Sequence, residues 1–160
     1  MRMNTRPPLL RPGFTLMEIL IVVVILGILA AIVIPSFASA TEDTRKAAFA
    51  QDLRAFETGI LRYEVDQGEF PPDGGSGSVP LGLEDYVNVP KWESGSPIGG
   101  VWDNETDDVV SAGMGVHFNG TGQTRDATYM AAIDLMIDDG VVTTGSFRVF
   151  GDRYYRVISP

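Results

Sequence analysis

Glu18 is an acid in a place where an acid is costly. It belongs to Gly13-Phe14-Thr15-Leu16-Met17-Glu18, the head of an apolar run that ends at Pro35. Of the 21 residues from Phe14 to Ile34, Thr15 and Glu18 alone are polar. A carboxylate near a bilayer centre costs about 2.5–3.5 kcal/mol on insertion scales, so one kept there answers to a function. Elsewhere the chemistry is thin. His117 is the single histidine, there is no cysteine nucleophile, and no nucleophile-elbow sequence accompanies the histidine. The run Asp103-Asn104-Glu105-Thr106-Asp107-Asp108 gathers oxygen ligands of the kind Ca²⁺ takes, with Asp103, Glu105, Asp107 and Asp108 as the candidate donors. Its spacing is not that of an EF-hand, and most such runs are solvated loops.

The element that must carry Glu18 is a helix. At about 1.5 Å per residue, Phe14 to Ile34 spans about 31 Å, the thickness of a hydrocarbon core. Before it, Met1 to Gly13 holds Arg2, Arg6 and Arg11, no acid, and Pro7, Pro8 and Pro12. Those prolines keep the leader extended and open to a protease. Arg45, Lys46 and Arg54 follow the span, so the count of flanking positive charges does not set its orientation by itself. A leader this short is expected to stay cytoplasmic. Pro35 removes one helical bond and crowds the carbonyl of Ala31, which predicts a bend or a melted turn.

Glycine, aromatic, carboxylate and apolar run, in that order, closely resemble the N-terminus of type IV pilins and of the pseudopilins of type II secretion. The resemblance covers about the first third of the chain. It implies that a membrane prepilin peptidase cuts between Gly13 and Phe14 and then methylates the new amine of Phe14. Glu18 becomes the fifth mature residue, and Pro35 takes the place of the proline that ends the family's membrane segment. The cut sets a positive amine one helical turn from Glu18. In a helical polymer the amine of an incoming subunit can neutralise a neighbour's carboxylate, and a slipped register leaves both charges unpaired in lipid. Gly27-x-x-x-Ala31 offers a small-residue face for close helix approach. Major pseudopilins carry a run similar to Tyr63-x-x-Asp66-x-Gly68-x-Phe70-Pro71, and they bind calcium in a loop of their β-domain.

A rival reading uses Ala38-Ser39-Ala40 as an ordinary secretory cleavage site, releasing a soluble protein that starts at Thr41. Against it, the apolar region is longer than the usual 7–15 residues of a signal peptide, and Glu18 would serve no purpose.

Beyond the membrane the helix continues. Phe49, Leu53, Phe56, Ile60 and Tyr63 recur at steps of four and three, a stripe that predicts packing on a sheet, with Gly59 a weak point and Gly68 the stop. The expected organisation is leader 1–13, transmembrane and assembly helix 14–35, amphipathic continuation 36–68 and a β-rich globular domain 69–160. The fold class is α+β, pilin-like: a long N-terminal helix on a small antiparallel sheet. Asp73 to Ser78 reads as a flexible loop, Leu81 to Val89 as a turn or short helix, and Pro90-Lys91-Trp92 as the opening of the next loop. Ser96 to Asp103 resembles the proline, glycine and aromatic loop that leads into the family's sheet. Met114 to Phe118 is a candidate strand, and Asp126 to Ile137 a short helix ended by Gly140. Ser146–Phe150 and Tyr154–Ile158 flank Gly151-Asp152-Arg153 as a hairpin. Trp92 and Trp102 are expected to be buried.

Three of the 12 basic residues precede Gly13 and all 21 acids follow it, so cutting there takes the net charge from −9 to −12. Nucleic-acid binding needs the opposite sign. The lack of a cysteine pair favours pseudopilin-like relatives over many type IV pilins.

The resemblance implies a non-enzymatic filament subunit of the bacterial inner membrane, N-terminus inside. It polymerises with its own kind or with other pilin-like chains on an inner-membrane assembly platform and drives protein export. The alternatives are a surface pilus for adhesion or motility and a DNA-uptake pilin. Mass and N-terminal sequence of the protein recovered from its native membrane check the processing: the expected start is N-methylated Phe14, and a start at Thr41 would remove the filament reading.

Overall fold

The structure, a computed structural model, describes residues 13–106, 110–119 and 125–159. Helix α1 spans Leu16–Gln67, α2 Val89–Glu93 and α3 Ala127–Ile137. The strands are β1 Val101–Glu105, β2 Ala112–His117, β3 Phe147–Phe150 and β4 Arg153–Ser159. Two compact units divide the chain between Thr41 and Glu42.

In the first unit every described residue is exposed, including the whole apolar run. The predicted melted turn at Pro35 does not occur, since α1 is helical through it. The ring is pre-set to helical φ, and only one backbone bond is lost. Side-chain hydroxyls also serve carbonyls on either side of it: Ser36 Oγ donates to Ile32 O at 3.1 Å and Thr41 Oγ1 to Phe37 O at 2.9 Å.

The second unit is α+β. The C-terminal part of α1 lies on an antiparallel sheet of order β1-β2-β4-β3. The predicted stripe is what it buries: Phe49, Leu53, Phe56 and Ile60 are each at most 2% exposed. Against them stand Trp102 of β1, Met114 and Val116 of β2, Phe147 of β3 and Tyr154 of β4, with Trp92 of α2 closing one side. Gly68, at φ +83°, takes the left-handed conformation that ends α1. Both tryptophans are fully buried, as the sequence implies.

Three local readings are corrected. Pro90-Lys91-Trp92 is not a loop but the body of α2, where proline suits the first turn and Asn88 Oδ1 caps the helix by accepting from Lys91 N at 3.0 Å. Asp52, which the four-and-three spacing of the stripe leaves outside it and so facing solvent, is buried and bonded by Lys91 Nζ at 2.5 Å. Gly59 is a contact rather than a weak point: a Cβ there would stand 2.8 Å from Tyr86 O and 2.7 Å from Val87 Cγ1.

Gly59→Ala therefore sets about 1 kcal/mol of helix propensity against an overpacked backbone contact. The contact wins: denaturant unfolding is expected to show a net loss of about 1–3 kcal/mol.

Candidate functional site

Strand β1 was the element hidden in the sequence. The acidic run begins inside it rather than in a loop, and residues 102 to 105 are all buried. Trp102 and Asn104 point to one side of the sheet, Asp103 and Glu105 to the other. Asn104 is held by the Asp73–Ser78 loop and the prolines before it, accepting from Gly74 N at 3.2 Å and donating to Pro72 O at 3.1 Å.

On the opposite face, register explains the acids. Asp103 is opposite Gly115 and Glu105 opposite Gly113, while Gly115 is in turn opposite Tyr155. A Cβ at Gly115 would overlap the Tyr154 carbonyl. With β2 bare of side chains there, residues of β4 reach across it. Tyr155 OH donates to Asp103 Oδ2 at 2.5 Å, and Arg153 Nη1 lies 3.2 Å from Glu105 Oε2. Burial, then the bond to Asp103, pushes the Tyr155 hydroxyl well above its usual pKa. Asp103 and Glu105, expected as calcium donors in a loop, lie instead in a strand, where their carboxylates serve Tyr155 and Arg153. Asp107 and Asp108 lie outside the described residues.

His117 ends β2 on this same face. Its Nδ1 is 2.7 Å from Ser76 Oγ, and its Nε2 is 3.3 Å from Asp152 Oδ2. Serine, histidine and aspartate do meet, which the sequence did not reveal because residues 76, 117 and 152 come from three separate segments. Ser76 sits in a turn, not on a strand-to-helix elbow, and the contacts tie the 74–78 loop to the β3–β4 turn.

The N-terminal site is built differently. Leu16 is the first helical residue, so Thr15 is the N-cap and Glu18 the third position of the helix. Thr15 N donates to Glu18 Oε2 at 2.7 Å, Thr15 Oγ1 donates to the same oxygen at 2.8 Å, and Glu18 N is 3.2 Å from Thr15 Oγ1. This is a reciprocal capping box, and the helix N-terminus adds a favourable field for the carboxylate. Thr15 is the residue that the reading of Glu18 as an isolated charge overlooked; the signal was the T-x-x-E spacing itself. Gly13 is exposed and has nothing within 4 Å of where a Cβ would lie. Phe14 is 81% exposed. Gly27 and Ala31, one turn apart, share an exposed face, and Gly27 likewise has open space around it. Pro35 is exposed within the helix.

An exposed, membrane-length apolar helix that opens on a self-capped carboxylate, joined to a small α+β unit, is a pilin-like architecture and fits membrane anchoring. The comparisons agree with that class. Residues 11–34 match the prokaryotic N-terminal methylation motif. The chain is similar to type II secretion system core protein G of Klebsiella pneumoniae, 35% identical over 81 residues, which is 51% of this chain and 54% of that one. The same protein of Pseudomonas aeruginosa is 36% identical over 93 residues, 58% of this chain and 59% of the relative. That of Escherichia coli K12 is 35% identical over 78 residues, 49% and 50% of the two chains. The chain thus spans about half the length of the relatives it matches. No solved structure matches.

The Tyr155–Asp103 contact sets an alkaline limit on the sheet domain. Because the folded state holds this hydroxyl above its unfolded pKa, its contribution is complete below about pH 10 and is lost as pH rises further. Tyr155→Phe is expected to cost about 1–3 kcal/mol at pH 7 by leaving Asp103 without its donor. Thermal melts between pH 7 and 11 should also show a shallower alkaline decline for the variant than for the parent.

Proposed function

We propose that this chain is a structural subunit of a pilin-like filament: a pseudopilin of the type II secretion kind, assembled from the bacterial inner membrane to drive protein export. The observation that carries the reading is the join of a methylation motif to an apolar helix whose described faces are all exposed. Such a helix needs either lipid or other subunits around it. The similarity to core protein G of several secretion systems supports the choice of export over a surface pilus.

The chain enters the membrane with its leader cytoplasmic and its second unit outside. While uncut, Glu18 is satisfied by Thr15, which lowers the cost of holding a carboxylate at the membrane edge. Prepilin peptidase cuts after Gly13 and methylates Phe14. The new amine then competes for Glu18 of a neighbouring subunit on the assembly platform, and pairing fixes axial register. Gly27 and Ala31 let helices approach closely, so dispersion contacts hold the growing fibre. Its partners are further copies or other pilin-like chains, and the net charge, −9 before the cut and −12 after it, turns nucleic acid away. The fibre acts as a scaffold or piston on exported proteins.

Glu18→Ala is expected to leave insertion and leader cleavage intact while lowering filament yield and export at least tenfold, read by sedimentation of sheared fibres and by secreted protein in the medium. Fibres at parental yield would refute the charge-pairing account.

A further inference from the structure

A helix that lays one stripe on a core should be polar on the face opposite. Within the second unit α1 departs from that rule. Thr58, Leu61 and Val65, at steps of three and four, run down the face turned away from Phe56 and Ile60, and all three are exposed. With Arg62 and Asp66 they line an open groove of about 320 Å³. Arg62 is exposed, and among the described residues no acid pairs with it, Asp66 one turn on included. Arg45, Lys46, Lys91, Arg125, Arg153 and Arg156 by contrast each lie beside an acid of their own chain. Arg54, one turn before Thr58, adds a second positive charge to the same face.

Helix α3 runs beside α1 in the same direction. Tyr129 OH in its first turn donates to Glu42 Oε2 at 3.1 Å, and in its last turn Met136 O accepts from Arg54 Nη2 at 2.5 Å. The end of α3 and the loop after it form a corner that bares Leu135, Met136 and Val141. Like Leu61 and Val65, each of these is at least 40% exposed. The corner is acidic: Asp138 and Asp139 are both exposed, and the helix C-terminus adds partial negative charge. The two carboxylates are fixed in place, Asp138 Oδ2 accepting from Ser146 N and Asp139 Oδ2 from the Thr144 hydroxyl at 2.9 Å.

One surface is thus apolar with a cation to spare, and the other is apolar with two acids. Both are larger exposures of apolar side chain than a free surface needs, and their charges are opposite. We propose that they are the two halves of one contact between copies of this chain: the α1 groove around Leu61 and Val65 receives the Leu135–Val141 corner of the next copy, with Arg62 facing Asp139. Two different surfaces meet, so the contact is heterologous and repeats without closing on itself, as an open helical polymer requires. It also fixes a stagger. Within one copy the corner stands beside Arg54, whereas the groove centres seven to eleven residues further along α1. For parallel copies, at about 1.5 Å per residue, the next copy is displaced along the axis by about 10–17 Å. This contact rests on the filament reading and deepens it.

The chain has no cysteine, so introduced thiols act on a silent background. Val65→Cys and Leu135→Cys are placed in one full-length chain, and fibres sheared from expressing cells are oxidised with copper phenanthroline. The double variant is expected to give a ladder of covalent multimers, since every copy links to the next. Either single variant should stay monomeric, and fibres mixed from the two singles should stop at dimers. Arg62→Glu is expected to lower fibre yield about tenfold with leader cleavage unchanged, and Asp139→Arg in the same chain to restore it. Fibres at parental yield without the ladder would overturn the proposal, as would single variants that dimerise equally well, or a thiol that links only to a chain of different mass. Parental yield from Arg62→Glu would overturn it too, even if the cysteine pair itself blocked assembly. A parent chain that forms no fibres strikes the filament reading and this contact with it, whereas fibres lacking the ladder strike the contact alone.

Discussion

The wedge of aromatic rings between α1 and the sheet is the contact on which the second unit depends. Phe49 stacks on Trp102 with centroids 5.1 Å apart and planes within 7°, and Phe56 meets the same indole edge-on at 5.0 Å. Phe56 also meets Trp92 at 4.9 Å, which brings α2 into the same cluster. A ring of this size buries about 150–250 Å², worth about 4–6 kcal/mol before ordering costs. Among the described residues neither buried indole N–H has a hydrogen-bond partner, so packing justifies where the two tryptophans sit. Holding Trp102 inward also decides the other face: with it fixed, Asp103 and Glu105 must point outward, toward Tyr155 and Arg153.

That outer face shows how polar burial is made tolerable. Two glycines clear β2, a tyrosine and an arginine cross the cleared ground, and the acids of an edge strand find donors two strands away. Edge strands are otherwise exposed to unwanted pairing, and charge on β1 works against it.

One helix serves two solvents. Its C-terminal part has the narrow apolar stripe of a helix lying on a core, whereas its N-terminal part is apolar all round, the pattern of a lipid-facing or subunit-facing segment. The proposed filament role rests on that contrast together with the capped carboxylate at the head. A charge that is locally satisfied can wait in a membrane edge until a better partner is presented.

Much of this was determined by the sequence itself, because local rules suffice for it. The processing motif, the apolar span, the helical stripe, the stop at Gly68, helix α3 and the final hairpin all follow from short-range periodicity and turn chemistry. Strand β1 did not, because acids are depleted from strands and its two faces are both buried, which erases the alternation that marks a half-exposed strand. Asp52, Gly59 and the meeting of Ser76, His117 and Asp152 were equally hidden, since each depends on a segment far away in the chain. Pro35 misled in part for the opposite reason: a local rule predicted a bend or a melted turn, and the melted turn is absent because the fixed φ suits a helix and only one backbone bond is lost. Only the tertiary structure decided which acids would be buried and beside what, since strand register and close backbone approach place side chains that no spacing along the chain relates.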